Sequence, residues 1–500
     1  MERTETHACP YQNHAGYRRL TAAADPRSAP LPMRLKLVHG FGAMAFGVKD
    51  NGFSVFLLLY YNQVLGMDAS TVSLALFLAL LVDAVIDPIL GNLGDRTYTR
   101  WGRRLPWLYA SALPLAVVWV VLWSPPTQAA PSFAGLLGIA IMVRLLLSAC
   151  EVPSVALVPE LTSDYDERTT LFRYRYLFGW IGGLGMMLLA YTVFLPGDAM
   201  LQREGYFAFG LFGAAVIFVS VVGSALGQHS RVARLPAQKP PPFSVGIAFA
   251  EIKEAFSERA FLILAAGAMG AYVSQGMTFS MTLYLYNFVW QFSETAFIVY
   301  PLVLFASVVI VFLILGPLHR RYGKPTTAVF STMFALLFWT IPYLLRIAGI
   351  WPEFGGTQST ALVYVFVLVS NVFGVMVMVS GSSMVAEIVE AFQERTGRRA
   401  EGSFYSGHWF IQKCATGLGI FLAGLMVDLA GIPANAKPGQ VAESVLDNFT
   451  LLYIGASVVL ALFSAYWLGK FPINRADHEA RLTALEAAAR NELASGTPNP

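Results

Sequence analysis

The sequence predicts an all-α integral membrane fold, twelve transmembrane helices arranged as two six-helix bundles. Three observations predict it. Of 500 residues, 56% are hydrophobic and 13% charged, with a mean hydropathy of +0.56; a soluble globular chain carries about 25% charged residues. Twelve apolar stretches follow one another, each near the roughly 20 residues needed to cross a bilayer. A hydrophilic break at about 228–258 separates six from six, and short motifs recur on either side of it. The same composition excludes a disordered chain, a small secreted domain and a soluble α/β enzyme. A formal charge of +3 is too small to imply a nucleic-acid partner. Cys9, Cys150 and Cys414 are too few and too scattered for a disulfide framework or a metal cluster.

Residues 1–33 mix Arg, His and Pro with no apolar signal-peptide region, and read as a flexible cytoplasmic arm. The N-terminal bundle is expected over 34–227, with spans near 37–63, 71–93, 107–124, 133–158, 171–195 and 205–227. The first contains GVKDNGF, which puts Lys49 and Asp50 at membrane depth; the second contains LLVDAVIDPILG and the fourth ACEVPSV. The fifth opens with Arg173 and Arg175 and continues into FGWIGGLG, whose Gly179-xxx-Gly183 spacing suits close helix packing. The break at 228–258 holds Pro236, Pro240, Pro241 and Pro242, then FAEIKEAF, an amphipathic piece expected to lie at the interface. The C-terminal bundle, 259–470, has spans near 260–290, 295–318, 326–348, 360–385, 403–430 and 446–469. His408, Gln412 and Lys413 fall in the eleventh. Residues 471–500 form a cytoplasmic tail. The aromatics, 13% of the chain, are assigned mainly to the core and the interfacial belts.

Charge sets the orientation. With both termini and the even-to-odd loops placed in the cytoplasm, 26 of the 34 Lys and Arg residues lie on that side. Only Arg203, Arg346 and Lys437 lie opposite, and Lys49, Arg144, Arg173, Arg175 and Lys413 lie in or at the ends of spans. This asymmetry predicts cytoplasmic termini in a plasma or inner membrane. The halves also echo each other. VPELTSDYDERT (158–169) and VAEIVEAFQERT (385–396) share V-x-E-[LI]-x-x-x-[YF]-x-E-R-T at an offset of 227. Gly91…Gly102-Arg103…Pro106 pairs more loosely with Gly316…Gly323-Lys324-Pro325, at 219 to 225. Two motifs in corresponding loops indicate parallel repeats, the arrangement of major facilitator transporters.

Ionisable groups at membrane depth cost several kcal/mol, so each one is a functional candidate. Asp83 and Asp87 are four apart, hence on one helix face a turn apart. Two acids so placed need a cation between them or a shared proton, which is the requirement for a coupling-ion site. Lys49, Asp50, Glu151, Lys413 and the arginines Arg173 and Arg175 are tolerable only if they converge on one polar cavity. Such a cavity offers hydrogen-bond partners to substrate hydroxyls. Arg144 is expected to snorkel or pair locally, in a structural role. The string DAVID also resembles an aspartate-rich magnesium motif of a membrane prenyltransferase, but span eight offers no second acidic cluster for a diphosphate.

The string Gly91-NLG-Asp95-R-TYTRW-Gly102-Arg103-Arg104 resembles the cytoplasmic loop motif of the major facilitator superfamily, whose acid and arginines latch helices in the outward-facing state. Glu167-Arg168 and Glu394-Arg395, from the repeated motif, are assigned to the same latch. A more specific resemblance is to the glycoside–pentoside–hexuronide:cation symporters, the melibiose permease group. It runs through YYNQVLGMDASTVSLALFLALLVDAVIDPILG, RWGRRLPW, EVPSVALVPELT and ERTGRRAEGSFYS, and so covers about 34–470. The resemblance implies cation-coupled symport of a sugar or glycoside by alternating access, with no enzymatic activity and no cofactor beyond a coupling ion, H+ or Na+. It implies cation-coupling roles for Asp83, Asp87 and Ser148. It implies substrate-binding roles for Lys49, Asp50, Glu151, Lys413 and a fifth-span arginine, taken as Arg175 because an ungapped match falls on Tyr176. No metal is expected save sodium at Asp83 and Asp87.

The chain departs from that family at two places. Ile86 stands where sodium-using members often have Asn, which removes a neutral oxygen ligand and favours a proton. Val155 stands where an aromatic stacks on the sugar, which keeps a lysolipid or other amphiphile open as substrate. The expected partners are that small molecule and the lipid bilayer, with the protein monomeric.

Overall fold

The computed structural model describes residues 30–126, 131–162, 164–233, 245–397 and 400–473. Most of the expected N-terminal arm and C-terminal tail, and residues 234–244 of the central break, lie outside them. Every regular element among the described residues is helical. Among the described residues, eleven helices are long and apolar enough to cross a membrane. They begin with Ala69–Arg96, Leu105–Trp123 and Phe133–Leu161 and end with Glu401–Ala430 and Glu443–Gly469.

The remaining predicted span, 37–63, is a helical rod in pieces. It runs Met33–Phe41, Met44–Asn51, a π-helical turn Gly52–Phe56, a short Leu57–Leu59 and a second π turn Tyr60–Val64. The break at Gly52 has its cause in packing. A Cβ on Gly52 would meet the Trp119 ring of the third span at 2.7 Å, so the chain widens where that indole presses on bare backbone. Hydropathy smooths over such interruptions, and this five-piece rod with the eleven other spans makes twelve among the described residues. The central break contains the helix Val245–Ala255, which buries Ile252 and Ala255 and receives a hydrogen bond from Ser403 Oγ to Glu254 Oε2 (3.0 Å).

Glycine sets the closest helix approaches. A Cβ on Gly47, Gly182 or Gly183 would collide with the facing backbone or side chain of the first-to-fifth-span contact, as the Gly179-xxx-Gly183 spacing predicts. The second half repeats the device, with Gly276 against the Thr416 backbone and Gly419 against Val273. Between the bundles, Gly424 of the eleventh span receives Ser73 and Ala69 of the second.

The bundles are sealed at the end bearing Arg346 and Lys437. Tyr60, Tyr61, Asn62 and Gln63 are buried there beside Tyr284 and Tyr286. Tyr284 Oη donates to Asn62 Oδ1 (2.8 Å), Gln63 Nε2 donates to the Pro433 carbonyl (3.1 Å), and the Ala436 amide donates to Gln63 Oε1 (2.8 Å). The Asp428 carboxylate accepts from the amides of Ala69 (3.2 Å) and Ser70 (2.8 Å), so an acid of one half caps a helix N-terminus of the other. Toward the opposite, basic end the bundles part around a cavity of about 220 Å³. It runs from Asp87 and Lys413 past Gly91 and Trp409 to Asp95.

Candidate functional site

Five spans build the centre. Asp83 and Asp87 project from the second span, followed at once by Pro88, which has no amide proton to give the Ala84 carbonyl. The fourth span presents Arg144, Ser148 and Glu151, spaced four and three apart and therefore along one face. The eleventh contributes Lys413 and the first Lys49 and Asp50.

Lys413 is the hub. Its ammonium lies 2.9 Å from Asp83 Oδ2 and pairs directly with Asp87 Oδ2. It also feels the charge of Glu151. Asp83 is sealed, with 1% of its side chain exposed. Its Oδ1 accepts from Ser148 Oγ at 2.6 Å, and its Oδ2 lies 3.5 Å from Arg144 Nη1. Asp87 is 24% exposed at the cavity wall, and its Oδ1 has no hydrogen-bond partner among the described residues. The two acids that sequence spacing treats alike therefore differ: one is enclosed by donors and the other is accessible.

A second cluster adjoins the first. Lys49 Nζ lies 2.5 Å from Asp50 Oδ1 and 3.7 Å from Glu151 Oε2. The Asp50 side chain is 66% exposed in mid-span, which is tolerable in a water-filled passage and prohibitive against lipid. Arg175 is buried, donates to Ser154 Oγ at 2.6 Å and lies over the Phe46 ring, while Arg173 is exposed. Of the two fifth-span candidates, Arg175 is the one facing inward. The centre holds four acids (Asp50, Asp83, Asp87, Glu151) and four bases (Lys49, Arg144, Arg175, Lys413), so its formal charges cancel.

At the basic loops, Arg104 pairs with Asp95 and donates through Nε to Glu160 Oε1 (3.0 Å), which also accepts from Arg103 Nε (2.7 Å). Gly102 has φ of +83° and its counterpart Gly323 +79°, a backbone that glycine adopts without strain. In the second half Lys324 Nζ lies 2.8 Å from Glu387 Oε1. The acids meeting these basic loops are thus Glu160 and Glu387. Glu167 instead pairs with Lys36 (2.8 Å), Arg168 donates to the Thr162 carbonyl (3.0 Å), Arg395 pairs with Glu258, and Glu394 is exposed on the same helix end. Gly91 is not held by space, since a Cβ there would meet only Val152 Cγ1 at 3.6 Å.

Sequence reasoning missed the acids that meet these loops: Glu160 and Glu387 stand at the first glutamate of the repeated motif, at the same offset of 227 that revealed it. Of the two outcomes expected for Arg144, snorkelling or pairing, the structure shows pairing, with Asp83, on the face shared with Ser148 and Glu151. His408, by contrast, lies 3.0 Å from Tyr272 Oη as a satisfied bundle histidine.

Comparison with known proteins gives the chain its family. A family model described as MFS/sugar transport protein matches residues 38–475. An isoprimeverose transporter of Lactiplantibacillus pentosus is 25% identical, with 82% of this chain and 84% of that protein aligned. A sodium-dependent lysophosphatidylcholine symporter of Danio rerio is 22% identical, over 93% of this chain and 90% of that one. Among solved structures, the nucleoside transporter NupG superposes with a TM-score of 0.60 at 16% identity, covering 87% of this chain and 98% of that chain. These relatives are transporters, not enzymes.

Proposed function

The chain belongs to the MFS/sugar transport protein family and is a multi-pass membrane symporter; from that premise we propose that it carries a sugar or glycoside together with a proton by alternating access. The single observation that supports this best is the position of Lys413. One ammonium joins the acid pair of the second span and reaches electrostatically to Glu151 on the first-span side. A proton arriving at Asp87 removes one of the two charges that hold Lys413. The freed ammonium, with Asp50, Lys49, Glu151 and Arg175, then meets substrate hydroxyls. Proton and substrate each favour the other's binding, because coupling between sites is reciprocal. Ser148 and Asp83 form the fixed side of this coupling centre.

In this reading both termini face the cytoplasm of a cell whose plasma or inner membrane the chain spans, following its basic loops. The cavity at the basic end then opens inward. The bundles, 34–227 and 259–470, rock about the centre, with the loop clusters around Asp95–Arg103–Arg104 and Lys324 as latches within each half. Proton rather than sodium follows from Ile86, which gives sodium no neutral oxygen beside Asp87. Val155 and the lysophosphatidylcholine-carrying relative support a second reading, an amphiphile as cargo.

Vesicles holding the purified protein and a pH dye separate these readings. A glycoside from a panel is expected to alkalinise the outer medium with or without sodium, and not in Asp87→Asn vesicles. A response that requires sodium overturns the proton. Silence to every glycoside with uptake of a lysophospholipid overturns the sugar.

A further inference from the structure

We infer that Arg144 is a built-in cation of the coupling centre, and that its presence is what denies the site to sodium. The inference deepens the proton-coupled reading and rests on Asp83 and Asp87 forming the coupling site.

The groups facing one another here are Asp83 and Asp87 of the second span, Arg144, Ser148 and Glu151 of the fourth, Lys413 of the eleventh and Lys49 of the first. Around the acid pair stand two full positive charges. Lys413 pairs with both carboxylates, and Arg144 Nη1 lies 3.5 Å from the same Asp83 Oδ2 that Lys413 meets at 2.9 Å. The acid pair with these two bases is neutral before any ion arrives. A monovalent metal ion needs several oxygens at once, and entering there it would find one carboxylate already enclosed by Ser148, Lys413 and Arg144 and would compete with two fixed cations for the rest. A proton needs only one oxygen, and Asp87 Oδ1, on a residue lining the cavity, accepts no hydrogen bond from the described residues.

Arg144 cannot step aside. Its side chain is 7% exposed, its guanidinium carbon lies 4.4 Å above the ring of Phe53, and Phe53 is itself buried. A guanidinium does not deprotonate in a protein, so its charge is permanent. An acid pair left with Lys413 alone would carry one net negative charge, the condition under which a monovalent cation is recruited. Ion selectivity in this chain is therefore set from the fourth span, opposite the helix that bears the acids.

The test is equilibrium binding of radioactive sodium to the purified full-length protein, with choline chloride as the balancing salt. The wild type and Arg144→Lys are expected to show no saturable sodium binding. Arg144→Gln is expected to gain it, at least about tenfold tighter than any wild-type signal, since a close uncompensated carboxylate contributes more than that factor. Folded Arg144→Gln without sodium binding overturns the inference, as does wild-type binding of equal strength. Should Arg144→Gln fail to fold, the double variant Asp83→Asn/Arg144→Gln, which removes both charges, is expected to fold and bind no sodium; failure of the double variant to recover overturns the pairing. No substrate is needed. A wild type that binds sodium sinks this inference and leaves symport standing, while a glycoside panel without response sinks the sugar reading and leaves the sodium result intact.

Discussion

Asp83 and Asp87 occupy the same helix face one turn apart, yet their neighbours give them different work. Asp83 neutralises Arg144 and part of Lys413 in a sealed setting; Asp87 meets the cavity. Removing Asp83 leaves a buried guanidinium without its counter-ion, a loss of about 3–5 kcal/mol for a broken buried pair. Asp83→Asn is thus expected to lower the melting temperature of the purified protein clearly, and Asp87→Asn to leave it nearly unchanged while abolishing uphill accumulation and sparing exchange. Melting curves and counterflow assays on the two variants check this, and equal melting temperatures would count against it. The acids, Lys413 and the Lys49–Asp50 pair were legible in the sequence because ionisable groups inside apolar stretches announce themselves. The inward turn of Arg144 was not, because depth along a span says nothing about rotation about its axis; only its i+4 and i+7 relation to Ser148 and Glu151 carries that information.

At the scale of elements, the sealed end rests on two helix termini of unusual form. Tyr60–Val64 closes the first rod and Leu285–Val289 the seventh, both as π turns. Their sequences, YNQV at 61–64 and YNFV at 286–289, repeat at an offset of 225, a third echo between the halves. Sequence reasoning passed over it because buried tyrosines read as ordinary core, and a π turn leaves no periodic signature of its own. Gln63 makes two hydrogen bonds across the bundles and Tyr284 one. At about 1 kcal/mol net for each bond, Gln63→Ala is expected to favour opening of this end more than Tyr284→Phe does. Spin-label distances across the end, measured by electron–electron resonance, should broaden most in Gln63→Ala. An unchanged distribution in that variant would show that the seal is held by apolar packing instead.

Across the whole molecule, the existence and order of the spans were legible, since each is a long apolar run bounded by loop chemistry, while their ends were not: the tenth, expected over 360–385, runs Thr357–Thr396. Most of the eleven spans other than the first begin within a few residues of their expected starts. The broken first rod was hidden because its cause, the Trp119 ring against Gly52, is a contact between distant segments. The partners of the loop arginines were half legible: the motif that contains Glu160 and Glu387 stood out, but which of its acids turns toward the neighbouring loop is decided by where the helices end. The balance of four acids against four bases in the centre has an electrical consequence. A carrier whose empty site holds no net charge can reorient across the membrane without work against the field. With a proton and a neutral sugar aboard it carries one charge, on which a full crossing of the potential does about 2.3 kcal/mol of work per 100 mV. Membrane voltage should therefore drive only the loaded half of the cycle. Transient currents on supported membranes should appear when sugar and proton are supplied together and vanish for the empty return; a current of equal size from the empty carrier would mean that the centre is charged at rest.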